Sequence, residues 1–276
     1  MARIIGGIGT SHVPTIAMAH DKSRQADPDW QPLFEGYAPV ARWLAEKKPD
    51  VLFFCFNDHA TTFLFDLYPT FALGVSERYE IADEGTGPRA IPPLKGHAAL
   101  ARHVARALVA DEFDLTIFQD LALDHGLHSP LTMMWPSRPD WPGKVIPLVV
   151  NVLQHPLPRP RRCFALGKAL RRAIESYPED LTVAMVGTGG LSHQMIGERA
   201  GFNNEAWDRE FLELIERDPE RLAGMPIEEY MLLGGNEGAE VIMWLIMRGA
   251  LEDKVKKVHS SYYLPMTTAM AAAVFE

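Results

Sequence analysis

Cysteine is scarce in this chain, with only 2 among 276 residues. Cys55 and Cys163 are far apart in the sequence, and neither belongs to a CxxC pair. We therefore expect neither a disulfide-stabilised scaffold nor a cysteine metal site. Unpaired cysteines are typical of reducing compartments, and the N-terminal stretch lacks the apolar segment of a signal peptide, so we expect a cytoplasmic protein.

Long apolar runs and an excess of positive charge are missing too. No stretch reaches the roughly 20 apolar residues that a membrane-spanning helix needs. The formal charge is −9 at pH 7. No cluster of lysine and arginine suggests a groove that follows a phosphate backbone. These absences argue against a membrane protein and against a nucleic-acid-binding protein.

Repeats, low-complexity segments and a Ser/Gly-rich linker are also absent, so no feature divides the chain. The hydrophobic content of 47% and the charged content of 23% match an ordinary globular protein. A chain of this length buries a sizeable core. We predict a single domain over residues 1–276.

Short apolar runs alternate with amphipathic stretches along the chain. The predicted strands are residues 4–8, 51–56, 115–118, 145–150 and 181–186. Apolar residues at helical spacing predict helices at residues 34–44, 100–108, 162–176 and 207–215. Residues 123–130 are predicted to form a loop, and Pro147 predicts that its strand lies at a sheet edge or a bulge. This alternation predicts an α/β fold with a mostly parallel or mixed central sheet flanked by helices.

Four histidines follow predicted strands within a few residues, and each has glycine, asparagine or aspartate within three residues of it. They are His12, His59, His125 and His193. In open α/β sheets, ligands bind outside the carboxyl ends of the strands. A single histidine at such a place is commonly a structural, hydrogen-bonded side chain. Four together predict a functional site at this edge of the sheet.

Glu240 precedes an apolar helix and follows the glycine pair Gly234 and Gly235. On its own, a carboxylate there complements the helix dipole, which is also the role we expect for Glu237. With two histidines from the same edge, Glu240 would complete a metal site, and the glycines would let it approach the metal closely. Two imidazoles and one carboxylate with open positions suit a non-heme Fe(II) oxygenase. Zinc hydrolases use the same ligand types, so the ligands alone leave the metal open.

Short motifs surround these candidate residues. They are Ser-His-Val-Pro at residues 11–14, Asn-Asp-His at 57–59, Ala-Asp-Glu-Gly at 82–85, Asp-His-Gly at 124–126, Gly-Thr-Gly-Gly at 187–190, Ser-His-Gln at 192–194 and Glu-Gly-Ala-Glu at 237–240. As a set they resemble the class III extradiol ring-cleavage dioxygenases, over essentially the whole chain. Within that family the sequence is similar to gallate dioxygenase and to the β subunit of protocatechuate 4,5-dioxygenase.

The resemblance implies a role for each candidate residue. It implies Fe(II) ligands at His12, His59 and Glu240. It also implies a catalytic acid and base at His193, a substrate hydrogen bond from His125 and a contact with the substrate carboxylate from Thr267. Glu237 matches the family pattern without being a ligand. His128, three residues after His125, could support an active-site residue from behind or contact the substrate, but we expect a surface residue of the loop.

The implied reaction is extradiol cleavage of a carboxylated catechol or pyrogallol by O₂. Gallate is the first expectation, with protocatechuate and 3-O-methylgallate as alternatives. A zinc-dependent hydrolase and a non-catalytic scaffold subunit are the competing interpretations. Gallate-type relatives continue into a region similar to a small α subunit, so we expect a homodimer or a hetero-oligomer with an α-like chain.

Two aspartates directly precede candidate histidines. Asp58 precedes His59, and Asp124 precedes His125. Each could orient an imidazole from behind, as carboxylates beside metal sites do. Each could equally cap the turn in which it lies. The sequence leaves both interpretations open.

Overall fold

A mixed eight-stranded sheet forms the centre of the computed structural model, which describes residues 1–85, 87–135 and 143–276. The strands are β1 (Arg3–Thr10), β2 (Val51–Phe56), β3 (Phe71–Gly74), β4 (Arg78–Tyr79), β5 (Leu94–Lys95), β6 (Thr116–Phe118), β7 (Lys144–Val150), β8 (Thr182–Thr188), β9 (Lys257–Tyr263) and β10 (Met270–Phe275). The helices are α1 (Pro14–Asp21), α2 (Gln31–Lys47), α3 (Ala98–Ala110), α4 (His125–Met134), α5 (Pro160–Glu175), α6 (Glu205–Arg217), α7 (Pro219–Gly224), α8 (Ile227–Gly234) and α9 (Ile242–Ala250). A short 3-10 helix, Glu237–Val241, leads directly into α9.

The sheet has a parallel centre and an antiparallel border. Its strand order is β6-β3-β7-β2-β8-β1-β10-β9, and β4 and β5 form a separate ribbon. The neighbours β7, β2, β8 and β1 are parallel. β10 is antiparallel to both β1 and β9. The predicted mixed sheet with flanking helices is confirmed.

Both faces of the sheet are covered, and β2 contributes to each. Phe53 and Cys55 belong to the core that α5 and α9 complete. Leu52, Phe54 and Phe56 belong to the core on the other face, beside α2 and α4. A strand that is buried on both faces has no polar side to present to water. This explains the continuous apolar run at residues 51–56.

β7 is an interior strand, so the expectation that Pro147 marks a sheet edge or a bulge was wrong. β2 borders β7 on one side and β3 borders it on the other. The pairing with β3 covers only residues 148–150 of β7 and stops at Leu73, one residue before β3 ends. Pro147 lies just outside that pairing, where its missing N–H leaves the ladder to β3 intact.

The predicted loop at residues 123–130 is instead the beginning of α4. The Asp124 carboxylate accepts a hydrogen bond from the Gly126 N–H and caps the helix, which continues through Pro130. Proline inside a helix removes one backbone bond. Every residue of α4 is buried, so tertiary packing compensates for that loss.

α9 is apolar apart from Arg248 and lies against the sheet, with all its residues buried. It approaches the strands closely where they carry glycine. A Cβ atom at Gly187 of β8 would lie 2.7 Å from the Met243 carbonyl oxygen, and one at Gly9 of β1 would lie 2.2 Å from the Trp244 ring. A larger residue at either position would displace the helix. The position of α9 therefore fixes Glu240, which lies in the 3-10 helix that leads into it.

Among the described residues, no helix combines the length and the apolar character needed to cross a membrane.

Candidate metal centre and catalytic site

Three neighbouring parallel strands place candidate histidines together at the carboxyl ends of the strands. β2, β8 and β1 lie side by side, so their carboxyl ends meet there. His59 follows β2, His193 follows β8 and His12 follows β1. The 3-10 helix before α9 brings Glu240 to the same place. One donor atom each from His12, His59 and Glu240 lies within 4.8 Å of the others, close enough to hold a metal ion.

His12 and Glu240 form the buried side of the cluster, with 3% and 2% of their surfaces exposed. His12 Nε2 lies 3.1 Å from Glu240 Oε2, and His12 Nδ1 lies 2.9 Å from the Thr188 hydroxyl. Burial lowers the pKa of His12 and outweighs the opposing effect of Glu240. For Glu240, burial raises the pKa, but His12, His193 and His59 together lower it to well below its usual range. A neutral imidazole and an ionised carboxylate are the forms that bind a divalent metal.

His59 is held from behind by Asp124. The Asp124 carboxylate accepts hydrogen bonds from the His59 backbone N–H at 2.7 Å and from its Nδ1 at 2.8 Å. The proton therefore lies on Nδ1, and Nε2 is directed to the cluster, 3.9 Å from Glu240 Oε1. Burial favours the neutral ring, but Asp124, Glu240 and Glu84 raise the pKa of His59 to about 9. A metal ion must displace the Nε2 proton of the charged form.

The two aspartates have different roles. Asp124 both orients His59 and caps α4, so both interpretations left open by the sequence apply to it. Asp58 accepts hydrogen bonds from the backbone N–H groups of Thr61, Thr62 and Phe63. Within the part of the chain that the structure describes, these hydrogen bonds shape the turn that follows His59 and include no imidazole.

The glycines that approach Glu240 come from the turn after β8, not from the pair that precedes Glu240 in sequence. The Gly190 N–H donates to Glu240 Oε2 at 3.1 Å. Gly189 has φ +129°, and a Cβ atom there would lie 2.8 Å from the Glu240 carbonyl oxygen. Gly235 instead packs against the His193 backbone, where a Cβ atom would lie 2.2 Å from the carbonyl oxygen. The expectation that Gly234 and Gly235 give the carboxylate access to the metal was wrong.

His193 directs one nitrogen towards the cluster. Its Nδ1 donates to the Leu191 carbonyl oxygen at 2.8 Å, so in the neutral ring Nε2 has the lone pair. That Nε2 lies 3.9 Å from Glu240 Oε2. The preceding Ser192 is anchored by Asp208, which accepts from the Ser192 N–H and hydroxyl, both at 2.7 Å. An imidazole whose second nitrogen faces a candidate metal site can take and return a proton.

His125 begins α4 and stacks on His59, with 3.9 Å between the ring centroids. Its Nδ1 contacts the Glu84 carboxylate, a residue to which the sequence analysis gave no function although it lies in one of the quoted motifs. His128, one helical turn later, is 1% exposed, so its assignment to the surface was wrong. It is buried because residues 125–134 form a helix whose whole circumference is covered.

One cavity of about 360 Å³ brings the candidate residues together. Its lining includes all six, namely His12, His59, His125, His193, Glu240 and Thr267. Glu237 also lines it and accepts a hydrogen bond from the Met195 N–H at 3.2 Å. Thr267 is an exposed residue at the rim, with Thr268 beside it. The remaining lining is mostly apolar, as expected for a small aromatic ligand.

Comparison with known proteins points to one family. The family described as the catalytic LigB subunit of aromatic ring-opening dioxygenase matches residues 6–275. Gallate dioxygenase of Pseudomonas putida is 57% identical over 196 residues, which cover 71% of this chain and 58% of that protein. The aligned part thus spans less than two thirds of that relative.

More distant relatives extend the comparison. A 2,3-dihydroxyphenylpropionate/2,3-dihydroxicinnamic acid 1,2-dioxygenase of Burkholderia vietnamiensis is 27% identical over 247 residues, which cover 74% of this chain and 75% of that protein. The crystal structure of an uncharacterized protein from Escherichia coli K12 superimposes with a TM-score of 0.55 at 13% identity, covering 97% of this chain and 98% of that one. The last likeness supports the fold alone.

Proposed function

The chain belongs to the family of catalytic LigB subunits of aromatic ring-opening dioxygenases, and on that premise we propose that it cleaves a carboxylated catechol or pyrogallol with Fe(II) and O₂. Gallate is the first candidate, because the gallate dioxygenase of Pseudomonas putida is 57% identical over the aligned residues. Protocatechuate and 3-O-methylgallate are the alternatives. The observation that carries the proposal is the convergence of two imidazoles and one carboxylate beside an aromatic-sized cavity.

The proposed iron ligands are His12, His59 and Glu240. Their chemistry fits the metal, because each imidazole has its Nε2 in the cluster while its Nδ1 contacts a protein oxygen, and the carboxylate is ionised. Three protein ligands leave coordination positions for substrate and O₂. When bound, the iron supplies a Lewis acid and a redox centre for oxygen chemistry.

His193 is the proposed acid and base. A substrate hydroxyl in the cavity lies within reach of its free Nε2, which takes the hydroxyl proton and later returns a proton to a substrate oxygen. His125 is the proposed hydrogen-bond partner of the substrate. Thr267, at the rim, is the proposed contact for the substrate carboxylate.

The proposal also covers the domain organisation, the cellular compartment and the oligomeric state of the enzyme. We assign residues 1–276 to one catalytic domain, which is supported by the pairing of β1 with β10 in a single sheet. Cys55 and Cys163 are free and buried, which supports a reducing cytoplasm. The described lining of the cavity includes no lysine or arginine to pair with a substrate carboxylate. This supports a homodimer or a complex with a small α-like subunit that completes the site.

The test is a substrate panel with controlled oxygen. The full chain is loaded with Fe(II) under anaerobic conditions, mixed with gallate, protocatechuate or 3-O-methylgallate, and then exposed to O₂. We expect oxygen uptake and a ring-opened product that gains both oxygen atoms, fastest with gallate. Zinc-loaded protein is the matched control and should be inactive. Absence of oxygen uptake with all three substrates would overturn the proposal, and oxygen-independent turnover by the zinc form would favour a hydrolase.

A further inference from the structure

Glu84 lies between two imidazoles of α4 and has no role in the proposed function so far. Its Oε1 contacts His125 Nδ1, and its Oε2 lies 3.5 Å from His128 Nε2. His125 and His128 are three residues apart on the helix and therefore share one face. A single carboxylate thus reaches both rings, one of which lines the catalytic cavity.

Arg89 determines which nitrogen of His128 accepts a hydrogen bond and which carries the proton. Its Nη1 lies 3.1 Å from His128 Nδ1, and a guanidinium group can only donate. His128 Nδ1 must therefore accept, which leaves the ring proton on Nε2. That N–H is the group that faces Glu84 Oε2. At 3.5 Å this N–H approaches the carboxylate as an electrostatic contact and not as a hydrogen bond.

Arg89 is itself held in place. Its Nε and Nη2 donate to the two carboxylate oxygens of Asp21 at 2.8 and 2.7 Å, and its Nη1 donates to the Thr132 hydroxyl at 2.8 Å. A bidentate arginine–carboxylate pair fixes both partners in one plane. The chain of contacts therefore runs from Asp21 on α1, through Arg89, His128 and Glu84, to His125 at the cavity.

The last contact determines what His125 offers to a ligand. An ionised carboxylate can only accept, so His125 Nδ1 carries the hydrogen that faces Glu84. In the neutral ring, Nε2 then has the lone pair, and it is the nitrogen left for a group in the cavity. A hydroxyl of an aromatic diol is a donor that fits this nitrogen.

We propose that Glu84 is a positioning residue, which holds the His125 ring in its Nδ1–H tautomer so that Nε2 accepts a hydrogen bond from a hydroxyl of the substrate. The identity of that ligand as an aromatic diol rests on the proposed function. The role assigned to Glu84 does not rest on the proposed function, because it depends only on the series of contacts that runs from Asp21 to His125. The competing explanation is that Glu84 merely anchors the segment that contains it.

Asp83 provides a matched control for that explanation. It accepts hydrogen bonds from the backbone N–H groups of Gly85 and Gly87, at 2.9 and 2.8 Å, and so shapes the same segment. Asp83→Asn removes one charge beside Glu84 without altering a group that contacts His125. Glu84→Gln removes the charge but keeps one acceptor oxygen, which can serve only one of the two imidazoles. Glu84→Ala removes both acceptors.

The experiment has two readouts on the full chain. The first is the ring ¹⁵N spectrum of zinc-loaded protein, in which the His125 signals are identified by their loss in His125→Asn. We expect the Nδ1–H pattern for His125 in the wild type and in Asp83→Asn, and its loss in Glu84→Ala. The second is kcat/KM for ring opening by the iron form. We expect a loss of about 10- to 100-fold in Glu84→Ala at unchanged iron content.

The remaining outcomes decide between the two explanations. A smaller loss in Glu84→Gln, with Asp83→Asn within about twofold of the wild type, supports positioning of His125 through its Nδ1. Equal losses in Glu84→Gln and Asp83→Asn would overturn it in favour of a general effect on the segment. An unchanged His125 pattern in Glu84→Ala would also overturn it. If the wild type opens no ring, the proposed function fails, while the ¹⁵N spectra still report on Glu84.

Discussion

The two sides of the candidate site differ in burial and in the structural elements that hold them. On the inner side, His12 and Glu240 are 3% and 2% exposed and are set by the end of β1 and the seating of α9. On the outer rim, Met195 and Met266 are 58% and 67% exposed and lie outside the regular elements. The inner side shares its packing with the core, whereas the rim does not. We expect changes inside to affect the metal and changes at the rim to affect only the choice of substrate.

Removal of Glu240 is the most severe test of the inner side. In Glu240→Ala the cluster loses a ligand, and Gly190 N–H and His12 Nε2 lose a buried partner. We expect purified protein to retain almost no iron, measured by mass spectrometry of the metal after gel filtration. Glu237→Ala is the matched control, since that carboxylate lies in the same 3-10 helix and is not a proposed ligand. Equal iron content in Glu240→Ala and the wild type would contradict the ligand assignment.

His193 lies on the inner side but is proposed to bind no metal. His193→Phe should keep its iron and lose about 10²- to 10⁴-fold in kcat, the range typical of a lost acid–base group. Iron content and single-turnover kinetics on the same preparation separate the two effects. Turnover near the wild-type rate would rule out the assigned role.

Asp124 accepts a hydrogen bond from His59 of the inner side and also caps the N-terminus of α4. Asp124→Asn keeps a side chain that caps helices well but loses the charge behind His59, so the iron dissociation constant should rise about 10- to 100-fold with little change in Tm. Asp124→Ala should show the same loss and also a lower Tm, because the cap contributes about 1 kcal/mol. Chelator competition measures the first effect and thermal unfolding the second. Wild-type affinity in Asp124→Asn would mean that the carboxylate only caps α4.

The fold was largely predictable because hydrophobic periodicity is a local signal. From the sequence alone, residues 51–56 could be predicted to form a buried strand, and the histidine after it could be placed at the carboxyl ends of the strands. The interior position of β7 could not be predicted, because Pro147 is tolerated where the pairing with β3 has stopped, and that register is a tertiary property. α4 was missed for a related reason: Pro130 argues against a helix locally, and the burial that outweighs it is a tertiary property.

The site was predictable to the extent that its residues follow strands. The carboxylates that contact the histidines were not predictable, because these contacts join segments that are distant in the sequence. His59 and Asp124 are 65 residues apart, and His125 and Glu84 are 41 apart. Nothing in the residues around Glu84 indicates that its two oxygens face two imidazoles. The motif that contains it was visible, but its geometry required the structure.

The rim should give the smallest effect and sharpen the contrast with the inner side. Met266→Ala removes an exposed side chain that lines the cavity, so KM should change by no more than about fivefold, or ~1 kcal/mol, with iron content unchanged. Ile196→Ala is the matched control, because Ile196 is 72% exposed and is not part of the described lining. The ratio of kcat/KM for gallate and protocatechuate should shift only in Met266→Ala. Loss of iron in Met266→Ala would show that the rim and the inner side are coupled, because an exposed side chain outside the core has no other route to the ligands.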